Sequence, residues 1–315
     1  MSNIQLTVDQ INQMEPLEIV DNPIVRDRFI QIYDTLWGAG TGEAAYQRES
    51  VFFNRLLRDT ENGKLQTATR FSIFTAFIDL AVIGLSLEPG SRALCYLMGR
   101  NVNAGTKDRP QWEGRCVLTV SGYGELVLRT RAGQIRYADN PVLVYDNDEF
   151  SFADRNGRKS VEYVAHLPHT GHKVIACYLG ITRADGSRDY GVLFEEDWQR
   201  LKDYSLKNNQ RRNARGEVYG SANALYSSGD DGAIDPGFLC AKCIKHAFKS
   251  YPKVRIGRNT ELQSEQPLVA DNADEDYYGV ADPGQTPAMP KPDTFCPEPD
   301  TSAGVTVATD PEDAF

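Results

Sequence analysis

The sequence predicts an α+β fold, because helical and strand patterns occupy different stretches of its 315 residues. Apolar residues recur at helical spacing in residues 7–85. Residues 93–194 are rich in β-branched and aromatic side chains, and they contain the dipeptides Asn156-Gly157 and Asp185-Gly186, which are typical of hairpin turns. Residues 260–315 are acidic and rich in proline, and we expect this tail to be disordered.

Three main helices are expected before the first strand. Asn22-Pro23 is a typical helix start, and apolar residues at helical spacing follow it. A second apolar face lies in residues 51–57. The third segment, about Thr69–Leu85, is apolar nearly all round, which indicates a buried helix, and Glu88-Pro89-Gly90 ends it.

The middle of the chain alternates strands with one short helix. A helix is expected at about Gly122–Ala132, a second after Glu195 to about Lys207, and a last one at Pro236–Tyr251, with a polar loop at 208–235. The predicted strands are Ala93–Met98, Gly114–Val120, Ile135–Tyr145, Glu149–Phe152, Ser160–His166, Lys173–Thr182 and Arg188–Phe194.

The charge distribution separates a body from a tail. The formal net charge is −10, yet residues 260–315 hold thirteen acids and one lysine, whereas residues 1–259 hold 33 bases and 31 acids. We therefore expect three regions: an N-terminal helical region at 1–64, a core at 65–259 and the disordered acidic tail at 260–315.

Several classes of protein are not indicated. The N-terminal residues are polar without a basic region, which does not fit a signal peptide. The longest apolar stretch, Phe71–Leu85, is short for a membrane-spanning helix and contains Asp79. No phosphate-binding P-loop pattern occurs. Six cysteines without a secretory signal are typical of reduced thiols, so we expect a cytoplasmic protein.

The last predicted helix has an apolar stripe opposite a basic one. Lys242, Lys245 and Lys249 fall on the basic side, and Lys253 extends it. Residues 200–259, which include Arg211 and Arg212, hold twelve bases and five acids. This pattern suits a nucleic-acid phosphate backbone. A solvated helix face is the alternative interpretation.

Two further segments suggest contact with nucleic acid. Ser121–Ile135 combines glycines, Tyr123 and the bases Arg129 and Arg131, with Arg136 directly after it. Glycines before a helix allow close approach of another backbone, and free amides at a helix start favour phosphate. The loop from Lys107 to Trp112 places Arg109 beside an aromatic ring, a combination that suits single strands, although an ordinary hairpin tip is equally consistent with it.

Two patterns suggest metal or redox chemistry. His166, His169 and His172 are three of only four histidines, and with nearby acids they would suit a metal-dependent nuclease. However, they follow a strand end in a loop, so a polar turn explains them as well. Cys240 and Cys243 form a CxxC pattern, but both lie in the apolar stripe, which favours small buried residues over a zinc or redox site.

Several of these motifs, taken in order, resemble the RecT family of phage and prophage single-strand DNA annealing proteins. The motifs are Gly84–Gly90 closing the apolar helix, Ser121–Ile135, Asp148–Phe152, His166-Leu167-Pro168, and the basic helix ending at Pro252. The resemblance covers about residues 65–255. The chain departs from the family in a longer loop at 208–235, and in having Cys240 and Ala241 where relatives often have a basic residue.

The resemblance implies an ATP-independent recombinase without catalytic residues or cofactor. Such proteins bind single-stranded DNA, form rings or filaments on it and pair it with a complementary strand. They usually work beside a phage exonuclease, and we also expect contact with the host single-strand-binding protein. The implied fold is a small antiparallel sheet packed with helices, and the N-terminal region is expected to contribute to oligomer contacts. A metal-dependent nuclease using the region of His166, His169 and His172, or a structural phage protein, are the alternatives.

The resemblance assigns phosphate contacts to Arg129, Arg131, Lys242, Lys245 and Lys249. With the residues indicated by charge and aromatic pattern, the predicted DNA-binding set is Lys107, Arg109, Tyr123, Arg129, Arg131, Arg136, Arg211, Arg212, Lys242, Lys245, Lys249 and Lys253.

The tail allows three hypotheses. It ends with the acids Asp310, Glu312 and Asp313 before Phe315, which resembles the acidic tip of bacterial single-strand-binding proteins. It would then recruit host proteins that recognise such a tip. Alternatively, it folds over the basic residues and competes with DNA, or it only improves solubility.

Overall fold

The computed structural model describes residues 6–59, 63–106, 109–212, 215–257 and 260–262. These residues form an α+β structure in which small, mainly antiparallel sheets pack against helices, so the predicted fold class is confirmed. No helix in the described ranges is long and apolar enough to cross a membrane. Apart from residues 260–262, the predicted disordered tail lies outside the described residues.

Helices occupy the first part of the chain, as predicted. The side chain of Asn22 accepts a hydrogen bond from the backbone N–H of Ile24, and Pro23 begins the helix, since its missing N–H costs nothing there. The helices are α1 (Val8–Asn12), α2 (Pro16–Asp21), α3 (Pro23–Trp37), α4 (Gly42–Arg58), α5 (Gly63–Gln66) and α6 (Arg70–Ile83).

Helix α6 is the buried helix that the sequence predicts. Twelve of its fourteen residues are buried. The ring centroid of Phe77 lies 4.7 Å from that of Phe29 on α3 and 5.1 Å from that of Phe53 on α4. Burial of each such ring stabilises the fold by about 1.5–3 kcal/mol. Side chains from both sides of the predicted boundary at residue 64 therefore share one core.

The first sheet packs against this helical core. Strands β1 (Cys95–Asn103) and β2 (Trp112–Val120) form an antiparallel hairpin. The side chains of Cys95, Leu97, Cys116 and Leu118 on this hairpin belong to the same core as α6. The face of the sheet that bears these side chains therefore covers the helices.

The second sheet is built around one long strand. Strand β7 (Val174–Arg183) pairs antiparallel with β3 (Ile135–Ala138), β4 (Val142–Tyr145) and β8 (Arg188–Phe194). The stretch Ile135–Tyr145, predicted as one strand, is interrupted before Pro141, because proline has no N–H for a sheet hydrogen bond.

A separate two-stranded hairpin packs on the second sheet. It consists of β5 (Glu149–Arg155) and β6 (Arg158–Val164), and the ring of Phe150 stacks on Tyr178 of β7. The turn between β5 and β6 has positive φ angles at Asn156 and Gly157, as the dipeptide predicts. Asp185-Gly186 likewise joins β7 to β8.

Three later helices complete the structure: α7 (Gly122–Arg131), α8 (Glu195–Asn209) and α9 (Pro236–Ala247). Between α8 and α9 lie two-residue strands, β9 (Arg211–Arg212) and β10 (Val218–Tyr219). Leu239, Cys243 and Ile244 of α9 are fully buried against the second sheet and form a second core with it. Helix α9 ends four residues before the predicted end at Tyr251.

The beginning of the predicted tail is ordered. Strand β11 (Thr260–Leu262) pairs in parallel with β2, so the sheet order is β1-β2-β11. The buried Thr260 hydroxyl donates a 2.6 Å hydrogen bond to the carboxylate of Asp79 on α6. A Cβ at Gly257 would collide with that carboxylate, so a larger residue there would require the Asp79 side chain to move. The ordered chain therefore extends past the predicted boundary at 260.

Candidate nucleic-acid interface

The start of α7 is closed to a phosphate ligand. The Ser121 hydroxyl accepts a 3.0 Å hydrogen bond from the N–H of Gly124 and donates to the carbonyl of Ala93. Gly122 and Gly124 are buried, and a Cβ at Gly124 would collide with the carbonyl of Leu94. The glycines thus allow close packing within the protein, and the interpretation of this helix start as a phosphate site does not fit.

Arg129, predicted to contact phosphate, is buried and 3 % exposed. Its Nε donates a 3.0 Å hydrogen bond to Glu125, one turn earlier on α7, and its Nη1 donates to Gln134 and to the Pro252 carbonyl. Its guanidinium also lies 4.6 Å from the ring centre of Phe248. These groups of the same chain accept hydrogen bonds from the guanidinium N–H groups that a phosphate would need. We therefore assign Arg129 a structural role and leave it out of the proposed DNA surface.

This arginine also contacts the chain just beyond the end of α9. Beyond Ala247 the chain tightens into turns, with the N–H of Lys249 donating to the carbonyl of His246. The carbonyls of Phe248 and Pro252 then accept hydrogen bonds from Arg129. A carbonyl near a helix end needs such a partner, and here a buried guanidinium provides it.

Exposed basic residues lie on the elements that Arg129 connects. Arg131 follows it at the end of α7, Arg136 lies on β3, and Lys249 and Lys253 lie on either side of the Pro252 turn. Gln134 ties these elements together, since its Nε2 donates a 3.1 Å hydrogen bond to the Pro252 carbonyl. We call Arg131, Arg136, Lys249, Lys253 and Arg183, described next, the basic end of the molecule.

Arg183 also belongs to this group, although it is not in the DNA-binding set predicted from the sequence. Its Nη2 donates a 2.8 Å hydrogen bond to Asp189, and the side chain is 44 % exposed. The hydroxyl of Tyr251 also donates to Asp189, at 2.9 Å. Burial alone would raise the pKa of Asp189, but Tyr251 and Arg183 lower it overall. The sequence signal for it is a base two residues before the Asp185-Gly186 turn.

Two of the basic-end side chains already have contacts that orient them. The Nη1 of Arg131 donates a 2.8 Å hydrogen bond to the Gly84 carbonyl, and its guanidinium lies 5.1 Å from the ring centre of Trp37. The Nε of Arg136 donates to the Ala184 carbonyl at 3.0 Å. Each of these bonds uses one donor and leaves others for a ligand.

The lysines on the basic side of α9 are less exposed than their helical spacing in the sequence suggests. Lys242 is half-buried, with its ammonium 4.8 Å from the ring centre of Phe238 and 5.7 Å from that of Tyr226. Lys245 is also half-buried. Burial first, and then the charge of Lys249, lower the pKa of His246. Lys242 and Lys245 therefore contact the protein as well as facing outward.

Arg109 and Tyr123 lie on different elements, the β1–β2 hairpin and α7. Arg109 is exposed in the β1–β2 hairpin near Trp112, which is 69 % exposed. Tyr123 is half-buried, with the guanidinium of Arg92 5.8 Å from its ring centre. Lys107 and the side chains of Arg211 and Arg212 lie outside the described part of the chain.

The three histidines of the nuclease alternative each pair with a different acid. His169 lies 2.9 Å from Asp148, His172 lies 2.7 Å from Asp146, and His166 lies 3.2 Å from Glu149. The described residues contain no group of three or more such side chains arranged to hold a metal ion.

Asp148 shows what this region does. Its fully buried carboxylate accepts hydrogen bonds from the backbone N–H groups of Tyr145 and His166 and from the Tyr163 hydroxyl. Burial alone would raise the pKa of Asp148, but these donors and His169 lower it well below its usual range. Burial and the bond to Asp148 raise the pKa of Tyr163 to about 12. The carboxylate joins the β4–β5 turn to the loop after β6.

The cysteines of the CxxC pattern are packing residues. Cys243 is fully buried, and its thiol donates a 3.3 Å hydrogen bond to the Cys177 carbonyl on β7. The contact with Cys177 and burial raise the pKa of the Cys240 thiol. A thiol with a raised pKa is a poor nucleophile and a poor metal ligand.

The comparisons with known proteins give one family. Residues 53–218 match the model of the RecT family, and this range includes strands β1 to β9 with helices α5 to α8. No curated protein matches the chain. Arg131, Arg136 and Arg183 of the basic end lie inside the matched range, whereas Lys249 and Lys253 lie beyond it. Because the match covers more than half of the chain, the protein belongs to the RecT family of single-strand annealing proteins that act in recombination.

Proposed function

We propose that this protein binds single-stranded DNA and anneals complementary strands without ATP, on a basic groove formed by an oligomer. The observation that supports this most strongly is the family match together with the basic end. Arg131, Arg136 and Arg183 approach this end from three elements, and Lys249 and Lys253 add to it after α9. Arg109, Lys242 and Lys245 are secondary members of the proposed DNA surface.

The proposed mechanism is electrostatic. Two DNA strands repel each other, and a free single strand folds on itself. A basic groove neutralises the phosphates of one strand and holds it extended, with release of counterions. The affinity for single strands should therefore fall with salt, with a slope of about −0.7 per phosphate contact. Bases left open to a second strand can then test pairing, and correct pairing supplies the stability.

Exposed aromatic rings near the basic residues support binding without sequence preference. Tyr137 on β3 is 55 % exposed and follows Arg136 directly, and Trp112 is exposed in the β1–β2 hairpin near Arg109. Stacking of a base on such a ring contributes about 1–3 kcal/mol and depends little on the base.

The proposal includes partners. We expect a homo-oligomer, either a ring or a filament, in which residues 1–64 contribute contacts between subunits. Val51 on α4 is 65 % exposed, an apolar side chain on the outer side of this region. A phage exonuclease would supply the single strand, and the host single-strand-binding protein would be displaced from it. The expected location is the cytoplasm of a bacterial host.

The test is an annealing assay with two complementary oligonucleotides, in EDTA and without nucleotide. The rate of duplex formation is measured by fluorescence. The proposal predicts acceleration above the spontaneous rate, lost at high salt. No acceleration in EDTA, with strand cleavage after addition of Mg²⁺ or Mn²⁺, would instead support a nuclease. No effect under either condition would leave the structural phage protein as the remaining interpretation.

A further inference from the structure

One cleft in the helical part of the molecule is lined by residues that do not belong to the predicted DNA-binding set. It encloses about 430 Å³ between the second half of α4 and the loop that follows α6. Its apolar part comes from Phe52 and Leu56 on the helix and from Leu87 and Pro89 on the loop. Arg55, Arg58 and Asp59 form its polar edge.

The wall of this cleft is held in place. Leu87 is 3 % exposed, and its backbone N–H donates a 2.8 Å hydrogen bond to the carboxylate of Glu49 on α4. Glu49 is itself fully buried, and its other oxygen accepts a 2.6 Å hydrogen bond from Arg48. A buried charged hydrogen bond of this kind fixes the loop against the helix, so the cleft exists before any ligand binds.

The polar edge is basic and open. Arg55 and Arg58 are exposed in the last turn of α4, and neither pairs with a carboxylate among the described residues. They lie three residues apart on one helix, where like charges repel. Asp59, the acid of this edge, already has another interaction. The cleft therefore combines an apolar floor with two arginines that a negatively charged ligand would satisfy.

We propose that this cleft binds the acidic segment Asp310–Phe315 of the same protein. The segment has three acids, Asp310, Glu312 and Asp313, followed by an aromatic ring. Its carboxylates match Arg55 and Arg58, because arginine binds carboxylates with two parallel hydrogen bonds. The ring of Phe315 matches the floor of Phe52, Leu56 and Leu87. The segment Asp310–Phe315 is thus complementary to the cleft in both charge and apolar character.

The connection to the body favours this occupant. The tail leaves the protein at β11, where Thr260 is bonded to Asp79 of α6, in the same core that contains Leu57 and Leu87. The 47 residues from 263 to 309 span at most about 155–170 Å when fully extended, which is ample to reach the cleft. A tethered ligand has an effective concentration of about millimolar, so a weak contact suffices.

The basic end is a less suitable place for this segment. Its residues belong to separate elements, and Arg183 and Arg131 already have polar contacts there. The cleft is instead a bounded cavity with apolar walls, which an aromatic ring needs. The proposal is independent of annealing, so it stands or falls separately from the proposed function.

Photocrosslinking in the full-length protein tests the proposal. A benzophenone amino acid replaces Phe315, the sample is irradiated, and the linked peptides are identified by mass spectrometry. We expect most crosslinks on residues 52–59 and 87–89. The double variant Arg55→Glu/Arg58→Glu should lower their yield at least fivefold. The matched double variant Arg155→Glu/Arg158→Glu, in the exposed turn between β5 and β6, should leave it unchanged.

Three results would overturn the proposal. One is a spread of crosslinks over the body with a yield that Arg55→Glu/Arg58→Glu does not change. Another is that a photoprobe in place of Tyr278, close to the acids Asp274–Asp276, labels the cleft more strongly than the probe at 315. The third is loss of the crosslinks on addition of single-stranded DNA, together with a tenfold weaker DNA affinity in Arg55→Glu/Arg58→Glu, which would assign the cleft to DNA.

Discussion

The guanidinium of Arg129 donates a 3.0 Å hydrogen bond to the backbone carbonyl of Pro252, which is 123 residues further along the chain. Through this bond the end of α7 determines the path of the chain after α9. The same guanidinium pairs with the buried Glu125. Arg129 therefore positions the basic end without belonging to its surface.

Substitution of Arg129 should affect stability first. Arg129→Met leaves the Glu125 carboxylate buried without its partner, and we expect a loss of about 3–5 kcal/mol in the free energy of unfolding, measured with urea. The matched change Lys253→Met, at an exposed residue, should cost less than about 0.5 kcal/mol. Unchanged stability with lost DNA binding in Arg129→Met would return this residue to the DNA surface.

Charge reversal at the basic end should weaken binding of single-stranded DNA. In Arg136→Glu/Lys249→Glu we expect at least a tenfold weaker affinity at low salt. The slope of log affinity against log salt should be smaller by about 1.4, since each phosphate contact contributes about 0.7. Fluorescence anisotropy with a labelled oligonucleotide over a salt series measures both quantities.

The control for this charge reversal is Arg155→Glu/Arg158→Glu, which changes the net charge equally at another exposed place. An equal loss of affinity in the control would mean that only overall charge matters. Unchanged annealing by Arg136→Glu/Lys249→Glu would remove the basic end from the proposed mechanism.

The Asp148 network should make stability depend on acid pH. The pKa of Asp148 is lowered in the folded protein, so its contribution is complete above the unfolded value of about 3.9 and is lost as the pH falls through the lower folded value. Asp148→Asn should lower the free energy of unfolding at pH 7 by about 1–3 kcal/mol. It should also flatten the fall in stability below about pH 4.

Annealing at pH 7 in EDTA should persist in those Asp148→Asn molecules that remain folded, because Asp148 organises a turn. Loss of annealing with full stability would contradict this purely structural role of Asp148. Circular dichroism at a series of pH values and the annealing assay together distinguish the two outcomes.

The anchor of β11 should be sensitive to one methyl group. Gly257→Ala places a Cβ against the buried Asp79 carboxylate, and we expect a cost of about 1–3 kcal/mol from overpacking. Gly90→Ala is the control, since nothing lies within 4 Å of its Cβ position. Equal melting temperatures for the two variants would show that the chain around residue 257 moves freely away from α6.

Much of the fold was predictable because local patterns agree with the tertiary structure. The apolar residues of α6 predicted a buried helix, and Asn156-Gly157 predicted the β5–β6 turn. The errors lie where tertiary contacts override local preference. Helix α9 stops at Ala247, four residues before the expected end, and the carbonyls of Phe248 and Pro252 beyond it accept hydrogen bonds from Arg129. The tail was expected to begin at residue 260, but Thr260 starts strand β11 and its hydroxyl donates a hydrogen bond to Asp79.

The candidate site was predictable in part. Arg131, Arg136, Lys249 and Lys253 are exposed, as spacing and charge suggested. Arg183 was missed, since its neighbours in space come from distant strands and from Tyr251. Arg129 was assigned to DNA because a basic residue at a helix end has the same local pattern whether it faces solvent or a buried carboxylate.

By itself, the sequence determined the α+β class, the order of nearly all helices and strands, the turns and the family, because these depend on periodicity, turn residues and motif order within short stretches. Only the tertiary structure decided which bases are buried and which are open, and which acid each histidine meets. Burial and pairing depend on contacts between separate elements, such as His169 with Asp148 and Arg129 with Pro252, and such contacts leave no local pattern.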